Sequence, residues 1–284
     1  MRLARVGPPA AERPVVSGPD GLWRDVSTLT PDITPEFLTD GLDDARRALA
    51  SLPVIADDDQ LGRFGPPVAG IGKIVCIGLN YSDHAAETGA EPPAEPIVFL
   101  KAPDTVIGPT DPVSIPRGSA KTDWEVELAV VIGSPARYLE SPAHAADRIA
   151  GYAISNDVSE RAFQLERGGQ WDKGKNCETF NPLGPWLVTA DAVDPRSLGL
   201  RLSVNGERRQ DGNTANMIFD VDYLVWYLSQ FMVLRPGDVI NTGTPAGVAL
   251  GRPDRPYLRA GDVVELDIDG LGRQRQVFQD TEAS

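Results

Sequence analysis

Four short runs of apolar residues stand out in the hydrophobic pattern of this chain. Each is bounded by Gly, Pro or polar residues, and the runs cover 74–77, 97–100, 128–132 and 152–154. Runs of this length, flanked in this way, are typical of β-strands. The run that follows Glu127 is continuously apolar, as in strands that are covered on both faces. The sequence therefore predicts strands at these four places, with the third one buried.

Two longer segments instead place their apolar residues at helical intervals. The first covers 34–52, where Thr34 is suited to cap a helix and Pro35 to occupy its first turn. The second covers 217–232, and its apolar residues recur at spacings of three and four. We predict a helix at each place and expect the second one to pack in the core.

The remaining pattern suggests a division of the chain into two parts. Short alternating strands are predicted at 2–6 and 22–26, and a hairpin at 261–278 is expected to turn at Asp269-Gly270. Between 57 and 67 the chain is rich in Asp, Gly and Pro, a composition typical of a linker. We therefore predict a small N-terminal domain over 1–66 and a larger domain over 70–284, which 284 residues are enough to form.

The charge of the chain narrows the classes of partner. There are 27 Lys and Arg residues against 41 Asp and Glu residues, which gives a formal net charge of −14. Such a charge repels phosphate backbones and anionic lipids, so neither nucleic acid nor a membrane surface is an expected partner. The N-terminus lacks the apolar core of a signal peptide, and we expect a cytoplasmic protein. Cys76 and Cys177 have no metal-binding spacing, and both are interpreted as small core residues.

Three acidic residues next to the predicted buried strands are candidate metal ligands. Glu125 and Glu127 lie on the same face of a strand because successive side chains alternate. Asp157 follows another apolar run and could complete a set of oxygen ligands of the kind that Mg²⁺ or Mn²⁺ prefers. The alternative is a solvated strand face that carries two acids. The apolar run after Glu127 favours the metal site.

His84 and Glu87 form a second candidate group. They follow a predicted strand and lie three residues apart, so in a helix their side chains can touch. A carboxylate in contact with a histidine orients the ring and raises its basicity, which suits a general base acting on water. A surface histidine in a short helix explains the same spacing equally well. The other histidine, His144, is interpreted as a surface residue.

Two further segments carry polar groups that could serve a site. Lys175 is the first of these groups. A lysine near several acids more often forms a structural ion pair, although near a metal it can stabilise a developing oxyanion. The stretch 242–247 is a Gly- and Thr-rich loop without the Gly-Lys-Ser/Thr ending of a phosphate loop. Its backbone amides and the Thr244 hydroxyl could hold a carboxylate.

Six motifs follow one another along the chain: GLNYSDHAAE (78–87), WEVEL (124–128), NDVSER (156–161), GK (174–175), PLGPW (182–186) and TGTPAG (242–247). In this order and spacing they resemble the motifs of the fumarylacetoacetate hydrolase family. The resemblance runs from about residue 70 to the end. It implies an α+β, mostly β fold built on a mixed β-roll, with a small N-terminal α+β domain of the kind found in bacterial members. It also implies a homodimer.

The resemblance further implies roles for individual residues. The metal ligands for Mg²⁺ or Mn²⁺ would be Glu125, Glu127 and Asp157, and His84 with Glu87 would activate water beside Lys175. The positions that contact substrate oxygens would be Arg161, Gln164 and Thr244. Lys101 aligns with a lysine near the site, without an assigned role. A fourth acidic ligand found upstream of the histidine in the founding enzyme has no match here, which indicates the shorter, three-carboxylate branch.

The function that the resemblance implies is a metal-dependent hydrolase. It would cleave the C3–C4 carbon–carbon bond of a 2,4-dioxo acid to pyruvate and a carboxylic acid. The substrate could be an acylpyruvate, or a 2,4-dioxo-3-deoxy sugar acid, since residues 161–171 look like those of members that act in sugar acid catabolism. Alternatives on the same site are decarboxylation of oxaloacetate and isomerisation or hydration of a 2-hydroxy-dienedioate. A metal-stabilised binding protein without turnover is the alternative of another class.

Overall fold

The computed structural model describes residues 1–56, 61–89 and 91–281. Residues 57–60, the first part of the predicted linker, lie outside the described residues. Eighteen strands are formed within the described ranges, and most of them are short. They are β1 (Arg2–Val6), β2 (Arg13–Ser17), β3 (Trp23–Asp25), β4 (Val54–Ala56), β5 (Ile74–Gly78), β6 (Ile97–Lys101), β7 (Val106–Ile107), β8 (Val113–Ile115), β9 (Thr122–Asp123), β10 (Val126–Ile132), β11 (Ile149–Asn156), β12 (Ser159–Glu160), β13 (Asn181–Thr189), β14 (Gly199–Val204), β15 (Glu207–Asn213), β16 (Val239–Asn241), β17 (Val263–Ile268) and β18 (Gly272–Asp280).

Five α-helices accompany these strands in the described part of the chain. They are α1 (Leu42–Ala48), α2 (Ser82–Thr88), α3 (Arg161–Leu165), α4 (Asp172–Lys175) and α5 (Val221–Ser229). The predicted α+β, mostly β fold class is confirmed. None of the helices in the described ranges is long and apolar enough to cross a bilayer.

The large mixed sheet determines where the site lies. Its strands follow the order β4-β3-β2-β1-β13-β11-β10-β16-β5-β6, and β7 pairs with β13. Strand β10 runs antiparallel to β11, with Val126 opposite Asn156, and antiparallel to β16, with Ala129 opposite Asn241. Strand β5 is parallel to β16. The beginning of β10 and the ends of β11, β16 and β5 therefore meet at one edge of the sheet.

The predicted burial of the third apolar run is confirmed, because all seven residues of β10 are buried. A second sheet, in the order β15-β14-β17-β18-β8, packs over one face of the large sheet. Side chains such as Leu128 and Ile154 meet Leu200 and Leu266 in the core between them. The C-terminal hairpin also forms as predicted, with Ile268 opposite Gly272. This core fixes the strand that carries the candidate metal ligands.

The N-terminal strands extend the same large sheet. Strand β1 pairs with β13, with Leu3 opposite Leu187, and the buried side chains of Leu3 and Phe37 belong to one core with Ile74 and Ala129. The segment before residue 57 thus shares both a sheet and a core with the rest of the chain. Its assignment as a domain of its own stays a prediction.

Of the two predicted helices, the first forms as expected and the second is shorter. In the first segment the Thr34 hydroxyl accepts a hydrogen bond from the Phe37 amide at 3.3 Å, and helical turns cover 35–51, with Pro35 in the first turn. The second prediction, 217–232, is too long: α5 covers only Val221–Ser229. The Asp220 side chain accepts a hydrogen bond from the Tyr223 amide at 2.8 Å and sets the helix start. Apolar spacing does not reveal such a cap.

Candidate active site

The three predicted metal ligands converge at the shared edge of the large sheet. Glu125, Glu127 and Asp157 are 5%, 2% and 0% exposed. Each offers a carboxylate oxygen, and these oxygens all lie within 4.8 Å of one another. Glu125 directly precedes β10, Glu127 is its second residue, and Asp157 directly follows β11, so the antiparallel pairing of the two strands brings the three residues together. The convergence expected from the strand pattern is therefore present.

Buried cations neutralise two of these carboxylates. Arg161 Nη2 lies 2.5 Å from Glu125 Oε1, and Lys175 Nζ lies 2.6 Å from Glu125 Oε2 and 2.8 Å from Asp157 Oδ2. Lys101 Nζ contacts Asp157 as well, and it donates to the carbonyl oxygens of Phe180 at 2.7 Å and Val158 at 3.1 Å. Lys101, whose role the sequence left open, is thus a buried partner of Asp157.

Glu127 differs from its two neighbours. Its Oε2 accepts a hydrogen bond from the Gly243 amide at 2.8 Å, and it forms no ion pair within the described ranges. Burial raises the pKa of Glu127 well above its usual range, and the nearby charges of Asp157 and Glu125 add to this rise. Burial also acts against ionisation of Glu125, but Arg161 and Lys175 outweigh it and hold the pKa of Glu125 at about 2.

The donor set fits a hard divalent cation. Mg²⁺ and Mn²⁺ prefer oxygen ligands, and three carboxylates converge here in a buried position. Glu127 is the carboxylate that has no ion pair with a Lys or Arg of the described residues. A bound metal ion would supply the positive charge that a buried carboxylate needs in order to be ionised. Glu125, Glu127 and Asp157 would hold the ion.

Metal binding is expected to release a proton. A carboxyl group whose pKa is raised stays protonated to higher pH in the metal-free protein, whereas a ligand must be deprotonated. The affinity for Mn²⁺ should therefore increase with pH until Glu127 is fully ionised. Calorimetric titration in two buffers of different ionisation enthalpy measures the released proton. A binding heat that is the same in both buffers would contradict this account.

His84 and Glu87 contact each other on α2, as their spacing predicted. His84 Nδ1 lies 3.5 Å from Glu87 Oε2. The Gly247 amide donates to both oxygens of Glu87, at 3.1 and 3.0 Å. Burial opposes ionisation of Glu87, but the contact with His84 and the hydrogen bonds from the Gly247 amide outweigh it and lower the pKa of this carboxyl group. Glu87 therefore remains a carboxylate that orients the imidazole ring.

His84 and the carboxylates of Glu125 and Glu127 open into one cavity. The cavity has a volume of about 220 Å³ and contains seven of the nine predicted site residues, while Glu87 and Asp157 are not among its lining residues. The lining residues are Ile77, Gly78, Leu79, His84, Phe99, Glu125, Glu127, Arg161, Gln164, Leu165, Trp171, Lys175, Thr244 and Leu250. A larger, open groove of about 900 Å³ lies near residues 190–196 and 214–222 and contains none of the predicted site residues. The smaller cavity is the candidate active site.

The three residues predicted to contact substrate oxygens all line the cavity, but they differ in whether their hydrogen-bond donors already have a partner in the protein. Arg161 Nη1 donates to Gln164 Oε1 at 3.0 Å, which leaves the Gln164 Nε2 group without a protein partner in the described part of the chain. The Thr244 hydroxyl donates to the Val126 carbonyl at 2.9 Å and accepts from Gln210 Nε2 at 2.8 Å. Gln164 is therefore better placed than Thr244 to donate to a ligand, and their substrate contacts stay predictions.

Two buried residues that support the site were missed by the sequence analysis. Gln210 accepts a hydrogen bond from the Val126 amide at 3.0 Å and donates to the Thr244 hydroxyl, which ties β10 to the 242–247 loop. Asp123 accepts from Arg161 Nε at 2.8 Å and from the amides of Ala249 and Leu250 at 2.7 and 3.0 Å. The position of Asp123 two residues before Glu125, in the same alternation as the two glutamates, was a usable signal. Gln210 lies in a polar strand and gave none.

Asp123→Ala is expected to destabilise the fold by about 3–5 kcal/mol, the usual cost of breaking a buried ion pair. The change removes one of the two carboxylates that hold Arg161 and takes an acceptor from three backbone amides, those of Trp124, Ala249 and Leu250. Urea unfolding measures the difference. Asp194→Ala is the matched control, because its ion pair with Arg196 is exposed and should contribute at most about 1 kcal/mol. Equal losses in the two variants would contradict the assigned role of Asp123.

Comparison with known proteins decides the family. The family model "Fumarylacetoacetate (FAA) hydrolase C-terminal" matches residues 73–279, a range that contains all nine predicted site residues. The chain belongs to the fumarylacetoacetate hydrolase family. The predicted resemblance is thereby confirmed. The match also supports the prediction that the chain is an enzyme of the hydrolase class, whereas the carbon–carbon bond specificity stays a prediction.

Relatives in the fumarylacetoacetate hydrolase family differ in the reactions that their names give. A protein of Burkholderia multivorans, provisionally named a hydrolase, is 52% identical over 98% of both chains. The crystal structure of maleylpyruvate hydrolase from Sphingobium sp. SYK-6, in complex with manganese (II) ion and pyruvate, is similar with a TM-score of 0.81 and 31% identity, over 99% of this chain and 100% of that one. A 5-carboxymethyl-2-hydroxymuconate delta-isomerase from Mycobacterium smegmatis is similar with a TM-score of 0.78 and 33% identity over 100% of both chains. The family thus includes hydrolases and isomerases at comparable similarity.

Proposed function

We propose that this protein is a divalent-metal-dependent hydrolase that cleaves the C3–C4 bond of a 2,4-dioxo acid to pyruvate and a carboxylic acid. The observation that carries the proposal is the contact of His84 with the ionised Glu87, at the cavity into which the carboxylates of Glu125 and Glu127 also open. An oriented imidazole is the group that water attack requires. A relative in complex with manganese and pyruvate supports both the metal and the product.

The metal that the carboxylates fit is Mg²⁺ or Mn²⁺. When bound, such an ion supplies a Lewis acid and a template for the oxygens of the 1-carboxylate and the 2-oxo group. The residues of the chain supply the remaining functions. Arg161 keeps Gln164 turned with its Nε2 group available, and Lys175 adds positive charge within the cavity.

Water attack proceeds through His84. The imidazole takes a proton from water, and the water oxygen forms a bond to C4 of the substrate. Gln164 Nε2 and the charge of Lys175 stabilise the oxyanion that develops at C4. The C3–C4 bond then breaks, its electron pair passes to the pyruvate half as an enolate, and C3 takes up a proton. The acyl half leaves as a carboxylate.

Isomerisation of a 2-hydroxy-dienedioate is a second candidate function, and one observation favours it. A related isomerase is as similar to this chain as the related hydrolase is. An isomerase moves a proton between carbon atoms of its substrate and consumes no water. The two functions are therefore separated by their products.

The test is product analysis on the full chain with Mg²⁺, Mn²⁺ or EDTA. The substrates are acylpyruvates, 2,4-dioxo-3-deoxy sugar acids, oxaloacetate and a 2-hydroxy-dienedioate. We expect metal-dependent release of pyruvate together with one equivalent of a carboxylic acid from a 2,4-dioxo acid. Pyruvate and CO₂ from oxaloacetate alone would replace this proposal with decarboxylation, and turnover of the dienedioate alone would replace it with isomerisation. Binding of a 2-oxo acid without turnover of any substrate would make the protein a binding protein.

A further inference from the structure

The active-site cavity has both polar and apolar lining residues. The polar ones include Glu125 and Glu127, two of the candidate metal ligands, and the cations beside them. The apolar ones, called here the apolar wall, come from five separate segments of the chain and are Ile77, Leu79, Phe99, Leu165, Trp171 and Leu250. The ring centroid of Phe99 lies 5.1 Å from Lys175 Nζ, so the apolar wall begins next to the cations. A substrate that binds the polar residues through its 1-carboxylate and 2-oxo oxygens would place its acyl half against the apolar wall.

The apolar wall is held in place by specific packing. The rings of Phe99 and Trp171 meet edge to face with their centroids 5.5 Å apart. A Cβ atom at Gly78 would lie 2.5 Å from Trp171 Cζ3, so the indole occupies space that only a glycine leaves open. Gly78 lies opposite Ile97 in the pairing of β5 with β6. This packing fixes the position of Phe99 and Trp171 in the apolar wall of the cavity.

The cations of the cavity are already engaged by acids. Arg161 contacts Asp123 and Glu125, and Lys175 contacts Glu125 and Asp157. Among the described residues that line the cavity, there is no further Lys or Arg. A second carboxylate on the acyl half would face the apolar wall without a partner, and such burial of an unpaired charge is strongly unfavourable.

Two arginines lie outside this cavity. Arg252 and Arg255 line a separate, open groove of about 670 Å³ that shares Leu250 with the cavity. Arg252 Nε lies 3.4 Å from Asp254 Oδ1. Leu250 thus lines both the cavity and the groove that carries these positive charges, and Glu87 lines the groove as well.

We infer that the acyl half of the substrate is a short, uncharged hydrocarbon group. This inference rests on the proposed function and narrows it. It favours simple acylpyruvates over substrates with a second carboxylate, such as maleylpyruvate, and over the 2,4-dioxo-3-deoxy sugar acids that residues 161–171 suggested. Within that segment Arg161 is held by Asp123 and Glu125, and Gln164 is assigned to the oxyanion at C4. The other two lining residues, Leu165 and Trp171, therefore offer the acyl half a mainly apolar surface. The cavity volume of about 220 Å³ is below the range of about 300–1,000 Å³ that is usual for drug-sized ligands. The acyl half that fits beside the reacting centre is therefore short.

The first experiment measures binding to the Mn²⁺-loaded protein, so that it does not depend on turnover. Calorimetry compares 2-oxohexanoate with 2-oxoadipate, which have the same number of carbon atoms and differ in whether the chain ends in a methyl or a carboxylate group. We expect 2-oxohexanoate to bind at least about tenfold more tightly, in line with the discrimination that apolar pockets achieve. Equal binding, or tighter binding of 2-oxoadipate, would overturn the inference.

The second experiment compares kcat/KM for 2,4-dioxohexanoate, maleylpyruvate and a 2,4-dioxo-3-deoxy sugar acid. The hydrocarbon substrate is expected to be preferred by at least about tenfold. Efficient hydrolysis of maleylpyruvate or of the sugar acid would overturn the inference and leave the proposed hydrolase function intact. If no 2,4-dioxo acid is hydrolysed, the proposed function fails. The binding comparison then still shows whether the cavity prefers an uncharged or a charged chain end.

A designed variant tests the role of the apolar wall directly. Leu165 is 43% exposed, so a lysine at this position can keep its charge partly in solvent and the fold is expected to tolerate it. Leu165→Lys should shift the binding ratio toward 2-oxoadipate by at least about tenfold, since a cation then faces the acyl half. Leu22→Lys, at a residue that is 40% exposed in the N-terminal part, is the matched control and should leave the ratio unchanged. An unchanged ratio in Leu165→Lys would contradict the inference.

Discussion

Glu127→Ala is expected to abolish metal-dependent turnover and to weaken Mn²⁺ binding by more than about 100-fold. Loss of a residue that only hydrogen bonds to a metal ligand typically weakens metal binding by roughly 10–100-fold, and loss of a ligand should cost more. Glu127 is the carboxylate of the set that is buried without a protein cation, so the ion depends on it most. The measurements are calorimetric titration with Mn²⁺ and turnover of a 2,4-dioxo acid.

The same variant offers an internal control for folding. The described partner of the Glu127 side chain is the Gly243 amide, and no ion pair is lost with it. The stability of the metal-free protein toward urea should therefore fall by no more than about 1–3 kcal/mol, the cost of leaving the buried Gly243 amide without its acceptor. Mn²⁺ should stabilise the wild-type protein and not the variant. Glu265→Ala, at an exposed residue whose contact with Arg275 is 3.9 Å, should behave as wild type. Full activity of Glu127→Ala would remove Glu127 from the ligand set.

His84→Ala should reduce kcat by roughly 10²–10⁴-fold, which is the usual contribution of a positioned general base. Mn²⁺ binding should persist, because the carboxylates of Glu125, Glu127 and Asp157 do not depend on the imidazole. Steady-state kinetics and calorimetric titration with Mn²⁺ on the same preparation separate the two effects.

His144→Ala is the matched control for this variant. His144 is exposed and contacts Ser141 Oγ at 3.3 Å, away from the residues that line the cavity. It should keep full activity. Unchanged turnover in His84→Ala, or a loss of activity shared by both histidine variants, would contradict the assignment of His84 as the base.

The sequence predicted the parts of the site that follow from local geometry. The alternation of side chains in a strand places Glu125 and Glu127 together, and helical spacing places Glu87 beside His84. Because both rules act over a few residues, they hold whatever the rest of the chain does. The burial of β10 was predicted for the same reason, since a continuous apolar run needs cover on both faces.

Contacts between distant parts of the chain were beyond the reach of these rules. Gln210 and Val126 are 84 residues apart, and the pairing of Leu3 with Leu187 joins the first strand to the middle of the chain. No local pattern specifies either contact. The length of α5 was also predicted wrongly, because its start depends on the cap formed by Asp220 rather than on apolar spacing. The pairing of Lys101 with Asp157 likewise depends on which strands become neighbours.

Hydrolysis in water enriched in ¹⁸O tests most directly whether this site uses water to cleave a carbon–carbon bond. If His84 activates water for attack on C4, one labelled oxygen must appear in the carboxylate of the acyl-derived product. Mass spectrometry of that acid, after turnover of 2,4-dioxohexanoate with Mn²⁺, should show this label in the wild-type protein. Consumption of the substrate without a labelled carboxylic acid would contradict the hydrolase account and leave an isomerase or another enolate-forming reaction in its place.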